Sequence, residues 1–358
     1  MKLLESTLSA ISPSDEAARL GAKARLERLT MPHWALGRLM DLAVDLAGMT
    51  SSLRPALDRK VVVTMAADHG IAAEGVSAYP QEVTAQMVAN IASGGAGINA
   101  LARQAGARVV VVDMGVAGNS AFIAGKGAGR GPVISKWVGP GTRNMAKGPA
   151  MTREEAIRGL EGGIEVALDL AFDTDVFGTG EMGIANTTSS SAIVASFSGA
   201  NPAEVTGRGT GVDEAQLQKK VEQVRSILVL NNPDPADGLD VLSKVGGFEI
   251  AGIAGLILAA ASLRKPVVVD GFASTAGALI AQALCPLSVQ YMIASHLSVE
   301  PGHRYALELL GKRPLLDLEM RLGEGTGAAM AMNLVQAAGY LLTDVATFDE
   351  ASVSQAGG

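Results

Sequence analysis

Apolar positions change their spacing about sixty residues into the chain. Before that point "SPSDEAARLGAKARLERL" and "PHWALGRLMDLAVDLAGM" repeat apolar residues at helical intervals, which predicts amphipathic helices. From there on, short β-branched runs end in glycine or polar residues, as buried parallel strands do. "KVVVTMAADHG" is the first, and "ARVVVVDMGV", "DTDVFGTGEMG", "KPVVVDGFAS" and "QYMIASHLSVEPGH" repeat the form. Helical segments fill the gaps. One opens at Thr152, where Thr152 and Glu155 make a capping box, and another opens at Asp213 with "DEAQ". Strand and helix in alternation predict a Rossmann-like α/β fold, a parallel sheet with helices on both faces. The N-terminal helices and the small-residue helix after Gly325 are expected to form a smaller helical domain, residues 1–58 plus 328–358. Residues 59–327 then make the large α/β catalytic domain.

The predicted strands share a feature at their C-terminal ends. Asp68-His69-Gly70, Asp113-Met114-Gly115, Gly180-Glu181, Asp270-Gly271 and Ser295-His296 all fall just where a strand finishes. Open parallel sheets bind ligands along that edge, so a site assembled from several such loops is expected there.

Composition narrows the class. Hydrophobic residues make up 48% of 358 and charged residues 18%, enough apolar material for a large core. Glycine is frequent and aromatics stand at 4%, which suits close packing rather than an aromatic nucleic-acid platform. The net charge of −7 comes without a basic run, so nucleic-acid binding has no electrostatic footprint. The single Cys285 cannot form an internal disulfide and points to a reducing cytoplasm. Glu5 interrupts the place where a signal peptide needs its apolar core. "IAGIAGLILAAASL", at about 14 residues, suits a buried helix rather than a membrane span.

Two glutamates stand between or beside glycines, Glu181 in "GTGEMGIANTTSSS" and Glu324 in "RLGEGTGAA". "GTGEMG" matches the dinucleotide fingerprint G-x-G-x-x-G, but Glu181 would then repel the pyrophosphate, and the motif falls in mid-chain. A nicotinamide-dependent oxidoreductase and a non-catalytic nucleotide-binding module both stay open on these residues. In the other use of the loop, Glu181 faces a developing positive charge or accepts a proton, while Asn186, Thr187, Thr188 and the serines cap a helix aimed at an anion. Glu324 follows apolar Leu322, and a glutamate against an apolar wall becomes a better base near neutrality. A helix start favoured by the dipole is the alternative for Glu324. Further glycine loops occur at 94–101, 127–131 and 206–216; the last carries Arg208 ahead of a capped helix and could hold a phosphate. None ends in the Lys-Ser/Thr of an ATPase loop. No pair among His33, His69, His296 and His303 has zinc-site spacing, and no G-x-S-x-G elbow occurs.

"MAADHGIAAEGVSAYPQEVTAQMV", "GTGEMGIANTT", "TGRGTG", "VVVDGF" and "RLGEGTGAAMA" together resemble the nicotinate-nucleotide:dimethylbenzimidazole phosphoribosyltransferases of cobalamin synthesis, in the same order from about residue 30 to residue 340. The resemblance implies that nicotinate mononucleotide and dimethylbenzimidazole give α-ribazole 5′-phosphate and nicotinate, with inversion at C1′. It implies Glu324 as the base that takes the N–H proton, with Glu181 in support. It implies Met182, Ile184 and Leu322 as walls of the acceptor slot, with Gln86 as a polar contact. Ala78 stands near that slot where a member of the family carries a hydroxyl residue. The ribose phosphate is expected on Gly183, Gly209 and Gly271, with Ser298 and Lys220 nearby. No metal or redox cofactor is implied, because a pyridinium is already a good leaving group. Homodimers are expected, as are soluble small-molecule partners with neither nucleic acid nor a membrane span. Another benzimidazole, a purine or a phenol as acceptor stays open.

Overall fold

The computed structural model describes residues 2–118 and 133–354. Six parallel strands form one sheet in the order β3-β2-β1-β4-β5-β6. They are β1 (Lys60–Ala67), β2 (Ala107–Gly115), β3 (Val133–Ser135), β4 (Val176–Met182), β5 (Val267–Val269) and β6 (Met292–Ala294). Each β-branched run of the sequence lies on a strand. β3 has no counterpart among those runs, because three residues at a sheet edge carry no legible period.

The strand order is that of a doubly wound fold. The chain builds outward from β1 to β3, then returns to β4 on the other side of β1. That reversal leaves a crevice at the C-terminal ends of β1 and β4, the place where such folds bind ligands. In register, Thr64 of β1 pairs with Gly180 of β4, and Met65 pairs with Glu181. All eight residues of β1 are buried, as expected of a central strand covered on both faces.

Glycine makes the helix layer thin. The apolar helix Phe248–Ser262 packs along Arg153–Leu170, and a Cβ on Gly163 would run into the backbone of Gly252. A Cβ on Gly255 would likewise meet the carbonyl of Leu160. This helix is buried inside the protein, and among the described residues no helix is long and apolar enough to cross a membrane. The expected capping box forms at Thr152 with Glu155, and the helix that opens at Asp213 has one too, Asp213 with Gln216.

Helices from the two ends of the chain meet. Glu16–Leu26, Arg38–Thr50 and Thr326–Thr343 pack on one another. Arg25 ties the two ends of the chain through the carbonyls of Leu342 (2.7 Å) and Val345 (3.2 Å). The first helix, Lys2–Ala10, lies instead against Arg153–Leu170 and Phe248–Ser262. One hydrophobic cluster runs from Leu4 and Leu46 through Val62 to Leu342, across the boundaries drawn at 58 and 328.

Candidate active site

A cleft of about 510 Å³ opens at the C-terminal edge of the sheet. Its walls come from the end of β4 and the following turn, the loop around Gly209, the loop after β5, His296 and Ser298 after β6, and the Arg321–Gly323 segment.

Glu181 is in strand β4 and not in a glycine loop, which corrects the reading of the motif. The flanking glycines serve close approach. A Cβ on Gly178 would stand 2.7 Å from Met332 Cε, and one on Gly180 would overlap the carbonyl of Glu324. Small residues on β4 therefore let the second glutamate loop settle directly on the strand. The loop reciprocates: Gly323 (φ +81°) has the Glu181 carboxylate where its Cβ would be. The Glu324 N–H donates to the Glu181 carbonyl (3.2 Å), and Thr64 Oγ1 of the adjacent strand donates to the Glu324 carbonyl (2.9 Å). Two glutamates distant in sequence are thus joined backbone to backbone.

Glu324 itself is left-handed, with φ +61°, between Gly323 and Gly325 (φ +96°). A non-glycine residue held there costs on the order of 1–3 kcal/mol and persists only where its surroundings enforce it. Its side chain is buried, and Oε2 accepts the Ile98 N–H (3.1 Å) in the first turn of helix Gly97–Ala105. The glycine loop at 94–101 leads into that turn. Oε1 of Glu324 accepts no hydrogen bond from the described residues and is not sealed from solvent.

Carboxylates crowd this edge. Burial, then the charge of Glu249, push the Glu181 carboxyl up to about 8, against a hydrogen bond from Asn186 Nδ2; Asp270 and Glu324 add to the rise. Burial raises Glu324 as well, with the Ile98 N–H opposing and the Asp270 charge assisting. Burial also raises Asp270, opposed by His296, whose Nε2 is 3.9 Å from Asp270 Oδ1. Across the cleft the field reverses. Helices Asn186–Ser198 and Phe272–Leu284 both start at its wall, and neither has a side-chain cap. Uncapped first turns present N–H groups and the positive end of the dipole, so they attract anions. Asn186, Thr187, Thr188 and the serines are the candidate caps in the sequence; instead Ala185 is the N-cap residue, and Asn186 turns its amide to Glu181. A ligand that is anionic at one end and cationic at its reacting centre fits this polarity.

Comparison with known proteins agrees. A family model described as phosphoribosyltransferase matches residues 11–353. The nicotinate-nucleotide–dimethylbenzimidazole phosphoribosyltransferase of Syntrophotalea carbinolica is 63% identical over 355 residues, 99% of each chain. The protein of the same name from Desulfotalea psychrophila is 56% identical, again over 99% of each. The chain belongs to this phosphoribosyltransferase family. A crystal structure of the Thermus thermophilus enzyme superposes with a TM-score of 0.88 at 44% identity, covering 96% of this chain and 100% of that one.

Within this transferase fold the dinucleotide reading of "GTGEMG" has no basis: the motif begins inside β4 and its glycines receive packing partners. Of the residues singled out from the sequence, Glu181, Met182, Gly183, Ile184, Gly209, Gly271, Ser298 and Leu322 line the cleft. Glu324 stands behind Gly323. Gln86 is exposed on helix Val83–Ala92 and is outside the cleft lining. Lys220 is buried behind the wall, its Nζ donating to Thr187 Oγ1 (2.8 Å) and the Gly207 carbonyl (3.1 Å); burial holds it down at about 8 against the Glu300 charge. The Gly209 N–H donates to Glu300 Oε1 (2.8 Å). Arg208 is committed to Glu214 (2.6 Å) outside the lining. His69 is no ligand-edge histidine but a fully buried partner of Glu249 (2.6 Å). The glycine loop at 127–131 lies outside the described residues. Glu300 and Arg321 line the cleft without having been singled out. Each is a lone charge in an irregular segment, with no local pattern to mark it.

Proposed function

We propose that the cleft transfers the phosphoribosyl group of nicotinate mononucleotide to dimethylbenzimidazole, giving α-ribazole 5′-phosphate and nicotinate for the nucleotide loop of cobalamin. The observation that carries this reading is Glu324: a strained, buried carboxylate of raised basicity, with one oxygen unpartnered, locked to the backbone of a second glutamate. A lone pair on the unprotonated ring nitrogen of the base attacks C1′. The C1′–N bond of the pyridinium breaks, and its electrons return to the nicotinate nitrogen. The other ring nitrogen gives its proton to Glu324. Attack from the face opposite the leaving group converts β to α. A positioned base of this kind contributes roughly 10²–10⁴ in rate.

With its carboxyl held up at about 8, Glu181 is mainly protonated at neutral pH. The cationic donor and the oxocarbenium-like transition state favour its ionised form, so it becomes a counter-charge when one is needed. The phosphate takes the first-turn N–H groups of the two uncapped helices that no backbone carbonyl engages, those of Asn186 and Thr188 being bonded to Gly183 and Ala185, beside Gly183, Gly271 and Ser298, with Lys220 as the cation behind. Met182, Ile184 and Leu322 form the apolar slot for the base. Gln86 as a polar contact rests on the resemblance alone. A homodimeric state rests on the resemblance alone, and a reducing cytoplasm on the resemblance together with the free Cys285.

Incubation of purified protein with both substrates, followed by chromatography, tests the reading. Equimolar α-ribazole phosphate and nicotinate are expected. A folded protein that forms neither product, with this base or any other, would overturn it.

A further inference from the structure

We propose that Asp270 is a positioning residue for Glu324: its carboxylate clamps the backbone just after that glutamate. Oδ2 accepts the Gly325 N–H (3.1 Å) and Oδ1 accepts the Ala328 N–H (3.0 Å). The helix Thr326–Thr343 begins after a glycine N-cap that has no side chain to cap it. Asp270, from the loop after β5, supplies that cap from a distance, where a negative charge is also favoured by the dipole.

Asp270 is itself fixed. It is 1% exposed, its N–H donates to Thr179 Oγ1 (3.0 Å), and its carbonyl accepts from Ser295 Oγ (3.0 Å). Thr179 is two residues before Glu181 on β4. One residue therefore connects the strand that carries Glu181 to the turn that carries Glu324. That turn needs holding, because Gly323, Glu324 and Gly325 are all left-handed in succession. Without the clamp, the turn between two glycines is held only by the Glu181, Thr64 and Ile98 bonds, and Glu324 can relax part of the way toward an ordinary conformation.

The clamp also sets the charge around Glu324. Asp270 and the Ile98 N–H of helix Gly97–Ala105 act on Glu324 directly, Glu181 on β4 feels the charge of Glu324, and His296 after β6 faces Asp270. Burial and the Asp270 charge both favour the protonated form of Glu324. A neutral residue at 270 lowers the pH at which Glu324 ionises.

The inference rests on the transferase reading, and wild-type turnover separates the two: an inactive wild type defeats that reading whatever Asp270 does. With wild type active, Asp270→Asn is compared by its full pH–rate profile. Displacing the base by a fraction of an ångström to one ångström is expected to lower kcat about 100-fold, with KM for nicotinate mononucleotide within about threefold. The acid limb of kcat moves to lower pH. A lower melting temperature with kcat per folded molecule and acid limb unchanged means a helix cap only, and overturns the proposal. Should Asp270→Asn fail to fold, Asp270→Glu decides, because it keeps the charge but displaces it by one methylene. An acid limb in place with kcat down at least about tenfold is expected. A kcat equal to wild type overturns the proposal.

Discussion

Replacing Glu181 by glutamine should make the protein more stable at alkaline pH while making it a poorer enzyme. The carboxyl ionises at about 8 in the fold against 4.5 for an ordinary glutamate. Between those values the native state holds a proton that the unfolded chain has lost. Stability therefore falls as pH rises through this window and levels off above about 8. At pH 7.5 the difference is about three units, an upper bound of roughly 4 kcal/mol at 1.36 kcal/mol per unit. The side chain is half-buried and partly screened by water, which reduces the figure to about 2 kcal/mol. Glutamine keeps the shape and the acceptor for Asn186 Nδ2, so the substitution removes charge without opening a cavity. With an unfolding entropy of about 2.1 cal/mol/K per residue, 2 kcal/mol over this chain corresponds to about 3 °C. Thermal unfolding of wild type and Glu181→Gln at pH 5, 6.5 and 8 is the assay. The melting temperatures should nearly coincide at pH 5 and separate progressively toward pH 8, the variant being higher. A separation that ignores pH, or a variant that melts lower at pH 8, would refute the account of the carboxylate cluster.

Gly180→Ala places a methyl against the Glu324 carbonyl, and a shift of about 1 Å at the base should cost about 100-fold in kcat, read by steady-state kinetics with circular dichroism to confirm the fold. Because Lys220 loses its proton near 8, the wild-type KM for nicotinate mononucleotide should climb above that pH, and Lys220→Met should show a raised KM that no longer changes there. A wild-type KM that stays flat to about pH 9 would separate Lys220 from phosphate binding.

Much of the fold was legible because buried parallel strands need β-branched runs, and five of the six strands carry one. Short β3 carries no such signal. Glu181 and Glu324 stood out locally, since glycine beside a carboxylate has little use in an ordinary helix or strand. The reason for those glycines was not legible, because Gly180 and Gly323 answer contacts from the far end of the chain. The same distance hid the role of Asp270, legible only as a strand end at the ligand edge, whose cap serves a helix more than fifty residues on. The run after Ala185 misled in a different way. Asn, Thr and Ser favour N-caps as a class, but here the Asn186 amide is drawn to the Glu181 carboxylate and the helix start is left bare.

The most direct test of Glu324 as the base is the single-turnover rate of Glu324→Gln with both substrates saturating. Glutamine retains an acceptor for the Ile98 N–H, so the turn should hold and nicotinate mononucleotide should bind as in wild type. The expected rate is lower by about 10²–10⁴, with a profile that has lost its acid limb. A rate within a few fold of wild type, with the acid limb intact, would place the proton elsewhere and contradict the assignment.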